Sequence, residues 1–215
     1  MTYDYTYSDE TTDDGIRIRI VADDCPENPR RMYDNAGVVA FHRNVDYDIG
    51  DETYGAQDYY TTDGAIRDYL DGVDVRVVIP LRLVDYGSSG AILRADDPIV
   101  GARACRAWLR SLDDESSDYN GVAYLDAATV REGWRTTRAG ADYLRATVGE
   151  LACYVRGDVY GYVVDVPGNH GLSDSCFGFY CEPDGYVREA AREAADAMLV
   201  DLEARREALT VRSVN

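Results

Sequence analysis

Ile16, Ile18 and Ile20 alternate with Arg17 and Arg19, the period-two pattern of a strand with one buried face. The same pattern is longest at Val73, Val75, Val77, Ile79, Leu81 and Leu83, which share one face, with Asp74, Arg76 and Arg82 on the other. Pro80 interrupts that run and predicts an edge strand or a bend. Shorter apolar runs predict strands at Val38 to His42, Val122 to Leu125 and Val159 to Val164. A last one, around Phe177 to Cys181, reads as the hairpin partner of the strand before it.

Helical spacing takes over elsewhere. Asp63 caps a helix that runs to Leu70, with Gly72 as its stop. Asp97-Pro98 opens another, with Gly101, Cys105, Trp108 and Leu112 on its inner face. Asp126 caps a third, and a fourth spans Ala139 to Val155 and ends at Gly157. The chain closes on a long helix from near Asp184, whose inner stripe is Val187, Ala191, Ala194, Met198 and Leu202. Asp23 to Arg31, Asp46 to Asp58 and Asp113 to Asp118 read as loops, and residues 1–14 as a flexible acidic tail. The pattern predicts an α+β fold: a mixed or mainly antiparallel sheet of about five to six strands with helices packed on it, in a single domain over 15–210.

Charge changes this picture most. The chain carries 40 acidic residues against 22 basic ones, a net charge of -18, and every basic residue is Arg. With 46% hydrophobic residues in periodic array it is not a disordered acidic chain. Carboxylates hold water at low water activity, and their repulsion is screened in brine, where the Debye length is ~3 Å near 1 M salt. Guanidinium is more weakly hydrated than ammonium and pairs with carboxylates through a fork. The surface is expected to be salt-adapted.

The same charge opposes direct nucleic-acid binding, which requires cations to displace phosphate counterions. Arg131, Arg135 and Arg138 are the densest basic cluster, and with Glu132 and Asp142 beside them they read as a solvated helix face. No apolar run is long enough to span a bilayer, and the N-terminus lacks the pattern of a signal peptide. Cys25, Cys105, Cys153, Cys176 and Cys181 are odd in number and widely spaced, which fits reduced cytoplasmic thiols.

No Walker loop, G-x-G-x-x-G, G-x-S-x-G or H-E-x-x-H occurs. Cys176 and Cys181 alone are too few ligands for zinc, and the residues identify no metal or cofactor. Of the two histidines, His170 lies in a turn, whereas His42 ends a strand near Asp34, Asn35 and Asp51. A histidine there serves either as a base or ligand, or bonds a carboxylate for its own sake. Asp85, Asp158 and Asp174, the last followed by Ser175 and Cys176, stand at strand ends or turns. If those ends converge, Asp34, Asn35, His42, Asp51, Asp85, Asp158, Asp174, Ser175 and Cys176 form one polar pocket.

Five segments resemble a group of phage- and plasmid-borne proteins of unknown function. Pro29-Arg30, Asp34-Asn35-Ala36-Gly37, His42 and Asp48 to Glu52 are similar to its PR…DNxG…H…LGD opening. Ile79-Pro80-Leu81 to Gly90 is similar to LPLYLYDHSG, with Tyr86 in place of His. Tyr119 to Leu125, followed by Thr129 to Trp134, is the third. Gly157 to Tyr162 is similar to GDVYGF, and Asp174 to Tyr180 to DSCWGFYG, with Phe177 in place of Trp. The resemblance implies a mobile-element protein, viral or plasmid-borne, of a halophilic archaeon, and carries no reaction with it. It leaves three expectations. The first is an accessory protein that binds a host protein or small molecule in the cytoplasm, as in counter-defence or host modulation. The second is an enzyme or nucleotide- or metal-binding protein using the Asp/Asn/His pocket. The third is an acidic nucleic-acid mimic.

Overall fold

The structure is a computed structural model that describes residues 5–32, 36–45, 49–55, 62–86, 90–113, 116, 118–169, 171–180 and 182–213. In chain order the first elements are β1 (Thr6–Thr11), β2 (Arg17–Ala22), α1 (Pro29–Met32), β3 (Val38–His42), β4 (Glu52–Tyr54), α2 (Thr62–Tyr69), β5 (Val75–Asp85), β6 (Ala91–Ala95) and β7 (Ile99–Val100). Then follow α3 (Ala102–Ser111), β8 (Gly121–Asp126), α4 (Ala127–Gly133), α5 (Thr137–Arg156), β9 (Val159–Asp165), β10 (Ser173–Tyr180) and α6 (Tyr186–Ser213). The fold is α+β and mostly antiparallel, as the pattern predicts, but its strands form two sheets. The chain divides into two compact units where the sequence suggests one domain. A terminal unit joins residues 1–26 to 157–215, and a central unit spans 27–156. Local periodicity marks strands without saying which of them pair, so this division is invisible in it.

In the terminal unit the sheet order is β1-β2-β9-β10, antiparallel throughout. Ile16, Ile18, Ile20, Tyr162 and Val164 pack against Val187, Ala191, Ala195, Met198 and Leu202 of α6. The stripe shifts by one residue from the expected one: Ala195 is buried, and Ala194 only partly. Residues 6–11 are a strand, not a tail: β1 pairs with β2 from Thr6↔Val21 to Thr11↔Arg17. Its side chains are nearly all exposed, so backbone hydrogen bonds hold it and no apolar alternation announces it.

The central unit carries the second sheet, β4-β3-β8-β5-β6, with β7 also on β5. Helices cover both faces. Val77, Ile79, Leu81 and Leu83 pack with Leu144, Val148 and Leu151 of α5, while Val78 and Val75 join Ile66, Leu70 and Cys105 on the side of α2 and α3. Val75 therefore leaves the face that strict alternation assigns it. A β-bulge between Val75 and Val77 changes its parity.

β5 is also an interior strand, not an edge. Pro80 is tolerated because its carbonyl, accepting from Asp96 N at 3.1 Å, faces the flank where β6 has ended and β7 has not begun. A residue's amide position points the same way as its carbonyl in a strand, so the missing donor falls in that gap. The helix expected to open at Asp97-Pro98 begins later, at Ala102 after Gly101, because Ile99 and Val100 pair with Val78 and Val77 first. No described helix is long and apolar enough to cross a membrane. Cys25, Cys105 and Cys176 are free, but Cys153 is disulfide-bonded, which corrects the expectation of thiols throughout. Spacing along a chain does not reveal which sulfurs the fold brings together.

Candidate functional site

The residues expected to form one polar pocket do other work. Asp34 and Asn35 lie outside the described residues, as do His170 and Cys181. Asp51 accepts from Arg30 Nε at 3.0 Å and from Val39 N at 2.7 Å, with a further close contact to Arg30 Nη2. That arginine is 2% exposed and also donates to Gly37 O. Asp51 is thus the counter-charge of a buried guanidinium and the tie between α1 and β3.

His42 stands at the far end of the same strand, pointing to the α2 side, like Ala40. It is fully buried, and its Nδ1 accepts from Asn44 N at 3.2 Å, which leaves the neutral ring's proton on Nε2. Among the described residues Nε2 has no partner, nor does the hydroxyl of Tyr54, whose ring meets the imidazole edge-on at 5.6 Å. Burial holds the His42 pKa below the usual histidine value. The unfolded chain therefore takes up a proton, at about pH 6.5, before the folded one does. Stability is complete above that pH and falls as pH drops through the window toward the folded value, with a limiting slope of about 1.4 kcal/mol per pH unit for one proton. Denaturant melts between pH 8 and pH 5 check this: His42→Gln should flatten the decline above the carboxylate range, and an unchanged slope would remove His42 as its source.

The remaining candidates are dispersed in their units. Asp85 is exposed at the end of β5. In the terminal unit Asp158 precedes β9. Asp174 accepts from Ser175 N at 2.8 Å and from Tyr162 OH at 3.4 Å, and Ser175 and Cys176 are exposed on β10. Within the central unit nothing brings His42, Asp51 and Asp85 to a common point. Among the described residues no three His, Cys, Asp or Glu side chains are placed to hold a metal ion.

Arginines converge instead. Arg76, Ala127, Val130, Arg131, Trp134, Arg135, Thr136 and Thr137 line a hollow of about 520 Å³ in the central unit. Each wall has a local cause. Asp126 caps α4 by accepting from Thr129 N at 2.7 Å, and these bonds hold its pKa below the usual carboxylate range. α4 ends at Gly133, Trp134 turns out into extended backbone, and Thr136 caps α5 by accepting from Ala139 N at 3.2 Å. Arg131 and Arg135 therefore flank a break between two helices. With Arg138 they are exposed, so the cluster is solvated as their spacing suggested, but it does not lie on one helix. The bulge in β5 leaves Arg76 opposite no residue of β8, since Val75 pairs with Asp126 and Val77 with Leu125. Its Nη2 meets Asp74 at 2.7 Å while its buried Nε has no partner among the described residues.

No protein family, curated protein or solved structure matches this chain.

What the hollow can do follows from its charges. In a chain with 40 acids, most arginines that meet a neighbour meet a carboxylate: Arg17, Arg19, Arg30, Arg76, Arg138, Arg145 and Arg188 all do. Arg131 and Arg135 form no ion pair among the described residues, and the first turn of α5 carries no acid. Cations at a helix N-terminus oppose its dipole, so this arrangement is unfavourable until an anion arrives. Guanidiniums and threonine hydroxyls are donors only or donors by rotation, the set that fits phosphate or carboxylate oxygens. No single motif announces them. The legible signal is the stretch Arg131-x-x-x-Arg135-Thr-Thr-Arg138, in which Glu132 is the one acid, in an acidic chain.

Proposed function

We propose that the protein is a binding protein that captures a phosphate-bearing group in the hollow between β5, α4 and α5, and that it serves a virus or plasmid inside a halophilic archaeon, the group belonging to a host component. The observation that carries the binding half is that Arg131 and Arg135, which form no ion pair among the described residues, stand beside Arg76 around one concavity. The five-segment resemblance and the lysine-free acidic surface support the other half. Binding ranks above catalysis because Asp51 is committed to Arg30 and His42 faces away from it.

Molar salt sharpens the requirement. With a Debye length of ~3 Å near 1 M, long-range attraction is lost and only direct, forked contacts discriminate phosphate from chloride. Calorimetric titration of inorganic phosphate into the protein in molar KCl should give saturable heat. Arg131→Gln with Arg135→Gln should weaken binding at least tenfold, about 1.4 kcal/mol. Undetectable phosphate binding by the intact chain would sink the binding half. For the setting, the thermal midpoint should rise from dilute buffer to molar KCl; a midpoint indifferent to KCl would remove the salt-adapted reading.

A further inference from the structure

The hollow that holds Arg76, Arg131 and Arg135 is larger than a phosphate requires. Its volume of about 520 Å³ falls in the range of roughly 300–1,000 Å³ that encloses whole small organic molecules. A bare phosphate ion fills only a small part of that space. The rest of the wall is not all polar. Trp134 lines it with the arginines, and stands between Arg131 and Arg135 in the chain. The indole has a built seat. Trp134 N donates to Val130 O at 3.1 Å, and a Cβ on Gly140 would stand 3.3 Å from Trp134 Cε3, so bare backbone of α5 makes room for the ring. Tyr143, in the next turn of α5, meets it at a ring-centroid distance of 5.1 Å. The side chain is nevertheless only half-buried, and the part left open belongs to the hollow.

We infer that the ligand is a free nucleoside monophosphate, its phosphate held by the arginines and its base laid on the Trp134 indole. This rests on the phosphate reading above and names the molecule that bears the phosphate. A base is flat, polarisable and uncharged, and stacking on an aromatic side chain strengthens binding by roughly tenfold or more. Stacking is not screened by salt. It therefore adds affinity under the conditions in which the phosphate contact competes with molar chloride and the Debye length is ~3 Å. The lining carries no carboxamide or carboxylate to read a base edge, so the site tells bases apart only by how well they stack. A strand fits less well than a free nucleotide. Arg138, the next cation along, already meets Asp142 at 3.4 Å, so a second phosphate in a row finds that guanidinium engaged.

The probes are inorganic phosphate, ribose 5-phosphate, AMP, O-phosphotyrosine and a short oligoadenylate, titrated calorimetrically in molar KCl. AMP should bind about tenfold tighter than ribose 5-phosphate. Trp134→Leu should collapse the ratio of the two affinities toward one, and Trp134→Phe, which keeps an aromatic ring, should restore most of it. Arg131→Gln with Arg135→Gln should weaken AMP and inorganic phosphate alike. A second readout comes from fluorescence, since the chain's two tryptophans are Trp108 and Trp134 and Trp108 lies in the cluster on the α2 and α3 side. In a Trp108→Phe chain AMP should quench the remaining indole and ribose 5-phosphate should not. If inorganic phosphate binds but AMP gains nothing over ribose 5-phosphate, the nucleotide inference is overturned while the phosphate reading stands. O-phosphotyrosine binding as tightly as AMP would overturn it in favour of a phosphorylated side chain, and tighter binding of the oligoadenylate in favour of a strand. If no probe binds, both readings fall. Far-UV circular dichroism of each variant in the same buffer establishes that the fold is intact.

Discussion

Asp51→Ala should lower the unfolding free energy by about 3–5 kcal/mol, the largest loss expected from removing a single carboxylate in this chain. The cost comes less from the bond removed than from what remains. Arg30 is 2% exposed and donates to Gly37 O just before β3, and its charge cannot be rehydrated without local movement of the chain around it. The substitution also strips the Val39 amide of its carboxylate acceptor. Asp51→Asn should recover only part of the loss, because an amide keeps a hydrogen bond to Arg30 but not the charge. Replacing both partners with apolar residues, as in Arg30→Met with Asp51→Leu, should be far milder than Asp51→Ala alone. Urea denaturation in KCl measures all three; a loss below about 1 kcal/mol for Asp51→Ala would mean that the guanidinium is not trapped.

Phe41→Ala is the second large effect, at about 3–5 kcal/mol. Phe41 is 1% exposed at the centre of the main core. Two glycines make its space. A Cβ on Gly121 would stand 2.5 Å from the Phe41 ring, and one on Gly50 would stand 3.0 Å from it and 2.7 Å from Val39 O. The ring therefore lies on bare backbone from β8 and from the loop before β4. Gly121→Ala should itself cost about 1–3 kcal/mol through overpacking, but less in a chain that already carries Phe41→Leu. The double-mutant cycle should show a coupling of at least 0.5 kcal/mol, and additivity within error would refute the shared space.

How far the sequence discloses these features depends on the range of the forces involved. Asp126 and the end of α5 before Gly157 are legible because a helix is started and stopped by groups within a turn of the residue concerned. The alternation at Ile16 to Ile20 is legible because one face is buried and the other is not. β1 is hidden because its ladder bonds use no side chain. The parity change at Val75 is hidden because only pairing with Asp126 and Leu125 on another strand defines the bulge. Asp51 misleads for a related reason: a carboxylate beside a strand looks the same whether it awaits a ligand or neutralises an arginine 21 residues earlier. The arginine hollow is assembled from β5, α4 and α5, so its concavity exists only once the sheet and helices are stacked.

The irregularity in β5 gives the strand one residue that its ladder does not need. Val75 packs toward α2 and α3, and Arg76 faces the anion hollow, because one extra residue sits in the ladder at that point. Removing Arg76 would restore regular pairing with Val75 still opposite Asp126 and Val77 opposite Leu125, so both valines would keep their faces. The bulge therefore adds Arg76 to the wall of the hollow without displacing a valine from the core. A descendant that straightened β5 by that deletion would lose the guanidinium and keep the valine's berth.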